Sequence, residues 1–589
     1  MPWNQIIDPF NNIIVSALIA SIPVIIIFWS LLKKVKGYIT SLLTLAGAII
    51  IAFFAYHMPF KLIMLSTLHG ALYGLFPICW IIISAVFLFN ITVKSGQFEV
   101  IKDFMASITP DRRLQALFIA FSFGSFLEGA AGFGAPVAIS GAMLVGLGFN
   151  PLYAAGICLI ANTAPVAFGS VGTPILMASR MSDIPELAIS QMVGRTLPLL
   201  SLMIPFYLIV IMSGFKKSME VLPAILVCGL SFSIVQWFTS NYMGPMLPDV
   251  LAGLASIFSL LLLLKFWKPK SIWRFSDEPD NPIVSIIKYP PLQILKAWSP
   301  FIIMTFFIVA WGLQPVKDLL NSIAFFKFEI PGLNGSILKP DGTPLVIKAF
   351  EFNYLSASGS AVVLATLISI PLIGISFKDS IKIFTSTLQQ LIFPIITISS
   401  IVGYAFVANY SGMSITMAFA LASTGILFPF FSPILGWLGV FLTGSDTSAN
   451  ALFSKIQSTT ADSLGFDPVV AVSANASGGV TGKMISPQSI AVGAAAVGLV
   501  GKESDLFRFT FKHSFLMLLV ICVLTCLQVY VMKWMVPSYQ KIVAVSNTTQ
   551  SVIANNSESG FWYLLILSLS VLLIIIPLIV FKKRISSLK

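Results

Sequence analysis

Two acidic residues lie inside glycine-rich strings of the sequence, where a carboxyl group is well placed to take part in chemistry. Glu128 begins the string EGAAGFGAP, and Asp446 lies in the string TGSDTSAN. A carboxyl group withdrawn from water binds a proton more readily than one at the surface, so both residues are candidates for proton coupling. The alternative role is structural, because either carboxylate could instead cap the N-terminus of a half-helix.

A lysine and several neutral polar residues accompany these two acids. Lys483 ends the string NASGGVTGK and could pair with Asp446 or with the carboxylate of a substrate. The neutral candidates for substrate binding are Asn162, Thr163, Ser445, Thr447, Asn475, Ser477 and Thr481. Each of them could equally bond to a neighbouring helix. A cation surrounded by hydroxyl and amide groups favours a small hydroxylated anion as the ligand.

Glycines and prolines that interrupt helices surround all of these residues. The glycines predicted to break the helices or expose their backbone are Gly129, Gly132, Gly134, Gly444, Gly478 and Gly479. A helix interrupted at membrane depth leaves N–H and C=O groups that are costly unless they are satisfied. The N-terminus of a half-helix also carries partial positive charge, which suits a carboxylate. We therefore expect the ligand to bind at these breaks.

The composition of the whole chain is that of a membrane protein. Of the 589 residues, 57% are hydrophobic and 10% are charged, whereas a soluble domain carries about 25% charged residues. This composition predicts an all-α polytopic membrane protein and excludes soluble enzymes, secreted disulfide scaffolds and nucleic-acid binders. The five cysteines lie in apolar runs without a histidine cluster, so we expect no metal and no cofactor. The bilayer is the expected surrounding, and we expect no catalytic activity.

Apolar runs long enough to cross a membrane recur along the chain. We predict about 13 spans, at 13–32, 38–57, 70–93, 152–179, 192–213, 220–240, 248–267, 296–314, 355–376, 385–409, 468–500, 510–536 and 561–581. The stretches 114–149 and 434–460 are predicted re-entrant hairpins, and 152–179 and 468–500 are predicted broken helices. Lysine and arginine concentrate in alternate loops, which places the N-terminus outside and the C-terminus in the cytoplasm.

Short strings recur in the two halves of the chain in the same order. GSFLEG at 124–129 recurs as GVFLTG at 439–444, and Ala161-Asn162 recurs as Ala474-Asn475. Because the two copies run in opposite directions across the predicted membrane, they are predicted inverted repeats, as in secondary transporters. The predicted organisation is N-terminal spans at 1–60, repeat 1 at 61–215, linking spans and an outer loop at 216–354, repeat 2 at 355–536 and a C-terminal span at 537–589.

Three long strings carry a family resemblance. SFLEGAAGFGAPVAISGAMLVGLGFNPLYAAGICLIANTAPVAFGSVGTPI, LGWLGVFLTGSDTSANALF and GGVTGKMISPQSIAVGAAAVGLVGKESDLFRFT resemble the bacterial L-lactate permease family. The resemblance runs nearly from end to end. It implies proton-coupled uptake of L-lactate across the bacterial inner membrane, with D-lactate and glycolate as co-substrates. It implies a fold of two inverted repeats with paired hairpins, and it assigns no role to an individual residue.

The predicted function is proton symport of a small 2-hydroxymonocarboxylate by alternating access. A sodium-coupled carboxylate carrier is the alternative within the same class, with sodium held by freed carbonyl groups near Asn162 and Asn475. An anion channel is the alternative from a different class, and lactate counterflow would distinguish it from a carrier. The order of preference among substrates, the stoichiometry and assembly into a homo-oligomer stay open.

Overall fold

The computed structural model describes residues 2–33, 35–132, 134–275, 289–500 and 502–540. The predicted C-terminal span at 561–581 lies outside these residues. The described chain is built almost wholly of helices, which confirms the predicted all-α membrane fold.

Twelve helices form the first part of the described chain. They are α1 (Ile13–Ala20), α2 (Ile22–Leu32), α3 (Gly37–Phe54), α4 (Phe60–Tyr73), α5 (Trp80–Lys94), α6 (Gln97–Ser107), α7 (Arg112–Gln115), α8 (Gly124–Ala130), α9 (Ala135–Gly146), α10 (Pro151–Ala161), α11 (Gly169–Ser182) and α12 (Glu186–Met219). Stretches of π-helix at Gly74–Cys79 and Ala116–Phe123 join α4 to α5 and α7 to α8.

Twelve further helices follow in the described part of the chain. They are α13 (Leu222–Tyr242), α14 (Pro248–Phe266), α15 (Pro291–Gly312), α16 (Gln314–Ile323), α17 (Ser358–Leu372), α18 (Phe377–Ser411), α19 (Met413–Ala422), α20 (Phe428–Thr443), α21 (Asp446–Leu464), α22 (Pro468–Lys483), α23 (Pro487–Ala496) and α24 (Glu503–Tyr530). Four short strands also occur among the described residues. Strand β1 (Trp3–Asn4) pairs in parallel with β3 (Ile337–Leu338), and β2 (Phe326–Phe328) pairs antiparallel with β4 (Phe350–Phe352).

Nine helical segments of the described ranges are long and apolar enough to cross a membrane, or ten if α10 and α11 form one bent span. This count takes α4 and α5 with the π-helix between them as one segment, Phe60–Lys94, and starts the segment of α20 at Gly425. Several predicted spans are shorter or interrupted. The stretch 13–32 divides into α1 and α2, α17 has 15 residues, and 468–500 divides into α22 and α23. Local breaks therefore shorten helices where hydropathy alone predicts continuous spans.

The chain breaks where three of the predicted hairpin glycines lie. Gly132 and Gly134 separate α8 from α9 with φ of 63° and 83°, and Gly444 separates α20 from α21 with φ of 68°. Such backbone angles carry no steric cost for glycine. Gly129, in contrast, lies inside α8, where its Cα packs against the first turn of α14.

The prediction that Gly478 and Gly479 break a helix is wrong. Helix α22 is continuous through both residues, and its interruption lies at 484–486, before α23. Both glycines serve close packing instead. A Cβ atom at Gly478 would lie 2.0 Å from the carbonyl oxygen of Pro433 in α20, and one at Gly479 would lie 2.2 Å from Oδ1 of Asp446. The helix keeps its own hydrogen bonds, so these glycines free no backbone groups.

The break between α10 and α11 is longer than the breaks at the glycines and the one between α22 and α23. The two helices meet at 64°, and the backbone between Asn162 and Gly169 forms turns and a short 3₁₀ segment. Pro165 contributes no N–H group there, which prevents a regular helix. Ser170, Val171 and Gly172 then adopt left-handed φ values of 47°, 58° and 75°. The first half of the chain thus contains a stretch of irregular backbone in the buried core.

Candidate functional site

The centre of the candidate site is an ion pair between the two halves of the chain. The Nζ of Lys483 donates a hydrogen bond of 2.6 Å to Oε1 of Glu128. Both residues are buried, with 2% of Glu128 and 8% of Lys483 exposed. Lys483 ends α22, and Glu128 lies in the last turn of α8. The observed partner of the lysine is therefore Glu128, whereas the sequence suggested Asp446 or the substrate.

The position of Glu128 is held by the break in the first half. A Cβ atom at Gly169 would lie 2.6 Å from Oε1 of Glu128, so only a glycine leaves room for this carboxylate. Oε2 of Glu128 has no hydrogen-bond partner in the described chain. One oxygen is thus bound to the lysine, and the other remains open to a proton or a ligand.

Asp446 faces the same lysine from α21. It is 3% exposed and lies in the first turn of that helix, where Ser445 rather than the acid caps the backbone. Its Oδ2 accepts a long hydrogen bond of 3.4 Å from Nδ2 of Asn450. Its Oδ1 lies against Gly479 and has no hydrogen-bond partner among the described residues. Lys483 and Glu128 both lie within electrostatic range of it.

A third acid, Asp249, joins this cluster and was not predicted. It lies in the first turn of α14, is 1% exposed, and its Cβ packs against Gly129, the neighbour of Glu128. Glu128 and Lys483 are within its electrostatic range. The only sequence signal is an acid directly after Pro248 at the start of an apolar span, a pattern that ordinarily marks a capped and hydrated helix end.

The neutral candidates fall into two groups. Those left without a hydrogen-bond partner within the described ranges are Asn162 (at Oδ1), Thr163 and Ser477. The others already have partners. Thr481 donates to the carbonyl of Gly478, Ser445 accepts from the N–H of Ser448, and Asn475 bonds to Asn450 and Gln457. Buried polar groups are normally satisfied, so the first group is the better set of ligand donors and acceptors.

A line of polar contacts connects the cluster with the end of α11 and the middle of α21. The hydroxyls of Thr173 and Thr447 lie 3.3 Å apart, and Asn450 donates to the carbonyl of Pro174 at 3.2 Å. An ion-pair network joins the C-terminal end of α11 to the middle of α21. There Asp183 pairs with Lys455 at 3.2 Å and with Lys348 of the 315–354 loop at 2.6 Å.

This arrangement can bind an anion and hold a proton. One lysine stands among three buried carboxyl groups, and it can balance the charge of only one of them. Isolated buried charges are expensive, so such a cluster favours states in which the remaining carboxyls carry protons. A carboxylate that entered the cluster would compete with Glu128 for the lysine.

Comparison with known proteins gives the family. A family model described as L-lactate permease matches residues 16–532. The chain is 54% identical over 566 residues to the L-lactate permease of Bacillus subtilis, covering 91% of this chain and 100% of that protein. It is 49% identical to the glycolate permease GlcA and 48% identical to the L-lactate permease of Escherichia coli K12, again covering 91% of this chain and 100% of each relative. The chain therefore belongs to the L-lactate permease family and is a multi-pass plasma-membrane transporter rather than an enzyme.

Proposed function

We propose that this protein takes up L-lactate by proton symport, with D-lactate and glycolate as further substrates. The observation that carries the proposal is the buried pair of Lys483 and Glu128 at 2.6 Å. The lysine can hold the carboxylate of a substrate, and the carboxyl group can hold the coupling proton. The names of the relatives support this substrate class, since they are L-lactate permeases and a glycolate permease.

Substrate and proton are coupled because both act on the same ion pair. A lactate carboxylate that binds Lys483 displaces Glu128 and leaves it buried without a partner. Losing one partner of a buried pair costs about 3–5 kcal/mol, so the released Glu128 takes up a proton. The loaded cluster then has the same net charge as the empty one, which is the state best suited to reorientation. Asp446 is the second candidate for the proton, because it faces the same lysine.

The hydroxyl group shared by lactate and glycolate is recognised by the unsatisfied side chains of Asn162, Thr163 and Ser477. These groups are buried and have no hydrogen-bond partner in the part of the chain that is described. A site built to bond a hydroxyl rejects an analogue that lacks it, because its own polar groups would be left unpaired. The methyl group distinguishes lactate from glycolate, and a missing methyl group has a smaller effect.

Reorientation uses the two halves as inverted repeats, with the N-terminus outside and the C-terminus in the cytoplasm. The pairing of Asp183 with Lys348 and Lys455 supports this topology. It joins the predicted outer loop to the end of α11 and to the middle of α21, and the inverted arrangement also predicts the end of α11 on the outer side. The polar contacts between α11 and α21 then form the route from that side to the ion pair.

Labelled L-lactate uptake into proteoliposomes tests the proposal. We expect accumulation when a pH gradient is imposed, and none when a sodium gradient replaces it. Glu128→Gln should abolish accumulation, since the amide cannot carry a proton. Glu186→Gln is the matched control, because Glu186 lies in the first turn of α12 away from the cluster and should leave uptake unchanged.

Counterflow separates the remaining alternatives. Labelled lactate should enter faster when the vesicles contain unlabelled lactate, as expected of a carrier and not of a channel. Uptake that requires sodium, or a Glu128→Gln variant that accumulates lactate normally, would contradict proton symport through Glu128. Glycolate and D-lactate should compete with L-lactate, whereas propionate, which lacks the hydroxyl, should compete poorly.

A further inference from the structure

Asp249 is the buried acid of the described cluster to which the proposed symport assigns no role. Its side chain is 1% exposed, and neither carboxyl oxygen forms a hydrogen bond within the described residues. The side-chain amide of Gln236 faces Asp249 from α13. One of its two N–H groups donates to the carbonyl of Ala164 at 3.0 Å, and the other interacts with Asp249 without reaching regular hydrogen-bond geometry. More than nine in ten buried polar groups have a partner, so an acid with two unsatisfied oxygens requires an explanation.

Asp249 lies next to the residues of the proposed transport site. A Cβ atom built on Gly129 would lie 2.8 Å from the Cβ of Asp249, so the two residues pack closely against each other. Glu128 of α8 and Lys483 of α22 are the titratable groups that face Asp249 in the described chain, and no basic residue pairs with it directly. With Lys483 already balanced by Glu128, an ionised Asp249 would be an uncompensated charge in the protein interior.

We infer that Asp249 stores the coupling proton and passes it to Glu128 when lactate binds. The inference rests on the proposed proton symport and adds a second residue to it. When lactate pairs with Lys483, the O–H bond of Asp249 breaks and a new O–H bond forms on the released carboxylate of Glu128. The carboxylate of Asp249 then receives a proton from water on the side to which the site is open. Asp249 thus acts as the proton donor to Glu128 and makes no contact with lactate.

Asp249→Asn tests this role because the amide has the shape of the acid but cannot give up a proton in this way. The wild type, this variant and Asp467→Asn are compared in proteoliposomes. Asp467 caps the N-terminus of α22, the helix of Lys483, and asparagine caps helices equally well, so this control should behave as the wild type. Lactate exchange at equal pH is measured beside accumulation driven by a pH gradient.

We expect Asp249→Asn to exchange lactate but to lose driven accumulation. A gradient of about one pH unit can drive about tenfold accumulation with one proton per lactate, and this accumulation should fall to equilibration in the variant. The KM of the wild type should depend on pH, whereas that of the variant should not. Driven accumulation and a pH profile equal to those of the wild type would overturn the inference. Absence of proton-driven accumulation in the wild type would overturn the proposed function itself.

If the Asp249→Asn variant transports no lactate, proton uptake by the purified protein in detergent is the deciding measurement. Lactate is added to the purified protein in weak buffer, and the protons bound per lactate are read with a pH indicator. If Asp249→Asn binds lactate with a changed proton count, the inference stands. An unchanged proton count, or loss of lactate binding itself, would overturn it, because Asp249 would then serve structure or substrate binding.

Discussion

The breaks that follow α10 and α22 come from matching strings of the sequence, yet they differ in structure. In the first half, α10 ends at Ala161, and Asn162 is the residue that follows at its C-terminus. After Ala474 the helix continues through Asn475 and ends only at Lys483. In the first half the irregular backbone leaves space at Gly169 for the carboxylate of Glu128. In the second half α22 is intact, and Lys483 at its C-terminal end donates a hydrogen bond to that carboxylate.

This difference shows how two related segments divide one task. Pro165 and the left-handed residues 170–172 make the first break long, and an irregular backbone can adapt to a ligand. Gly478 and Gly479 allow α22 to approach α20 and α21 closely without breaking. We propose that the first half forms the adaptable wall of the site and that the second half rigidly supports its charge.

The largest expected effect is that of Lys483→Met. Uptake of L-lactate should fall by at least about 100-fold, because the lactate carboxylate loses the cation that holds it. Glu128 would also be buried without a partner, at a cost of about 3–5 kcal/mol. The thermal unfolding temperature in detergent should fall as well. Removing both charges with Glu128→Gln and Lys483→Met should restore the unfolding temperature without restoring uptake.

Lys455→Met is the matched control for this lysine. Lys455 pairs with Asp183 at a partly exposed position, and Asp183 keeps Lys348 as a partner. Exposed pairs contribute about 0.2–1 kcal/mol, so uptake should change little. Equal losses in Lys483→Met and Lys455→Met would refute a special role for the buried pair.

The second prediction concerns the rigid half. Gly478→Ala places a Cβ atom 2.0 Å from the carbonyl oxygen of Pro433, and overpacking of this kind costs about 1–3 kcal/mol. We expect a lower unfolding temperature and weaker lactate binding, because Lys483 lies on the same helix. Gly146→Ala in α9 is the control, since a Cβ atom there meets nothing within 4 Å. A stable and fully active Gly478→Ala variant would mean that α20 and α22 can move apart freely.

The third prediction compares the two matching asparagines. Asn475→Ala removes partners from Asn450 and Gln457, and leaving buried polar groups unsatisfied costs about 1–3 kcal/mol. Its main effect should be on thermal stability. Asn162→Ala should leave stability nearly unchanged and raise the KM for lactate, because Oδ1 of Asn162 has no partner in the described structure. A stability loss in Asn162→Ala together with a raised KM in Asn475→Ala would mean that the two halves have the opposite roles.

The smallest effect is expected at the predicted cytoplasmic face. Hydrogen bonds from Lys217, Arg113 and Ser271 lower the pKa of Glu220 to about 2. A lowered pKa stabilises the fold above the ordinary pKa of a glutamate, and this contribution is lost only as the pH falls towards 2. Glu220→Gln should therefore leave the shape of the uptake profile between about pH 6 and pH 8 unchanged. A shifted profile would locate the pH dependence outside the central cluster.

Several elements of the site could be predicted because their signals are local. Gly132, Gly134 and Gly444 lie at real breaks, since their left-handed angles depend on the residue and its neighbours. The break predicted at Gly478 and Gly479 was wrong for the opposite reason. A glycine inside a helix permits either a break or a close helix contact, and the choice between them depends on the packing of α20.

Asp249 could not be recognised in the sequence as part of the site. An acid in the first turn of a span is usually hydrated and favoured by the helix dipole. Its burial depends on the contact between the start of α14 and Gly129 of α8, residues 120 positions apart in the sequence. No periodicity or composition encodes such a contact.

The membrane class, the family and the breaks at Gly132, Gly134 and Gly444 follow from the amino-acid sequence, because hydropathy, backbone preference and long shared strings are properties of consecutive residues. Which carboxylate pairs with Lys483 depends instead on the fold. Its partner Glu128 is 355 positions away, and Asp446 is much nearer in the chain. The choice follows from the space left at Gly169 and from the close packing of α22, and these depend on how the two halves meet.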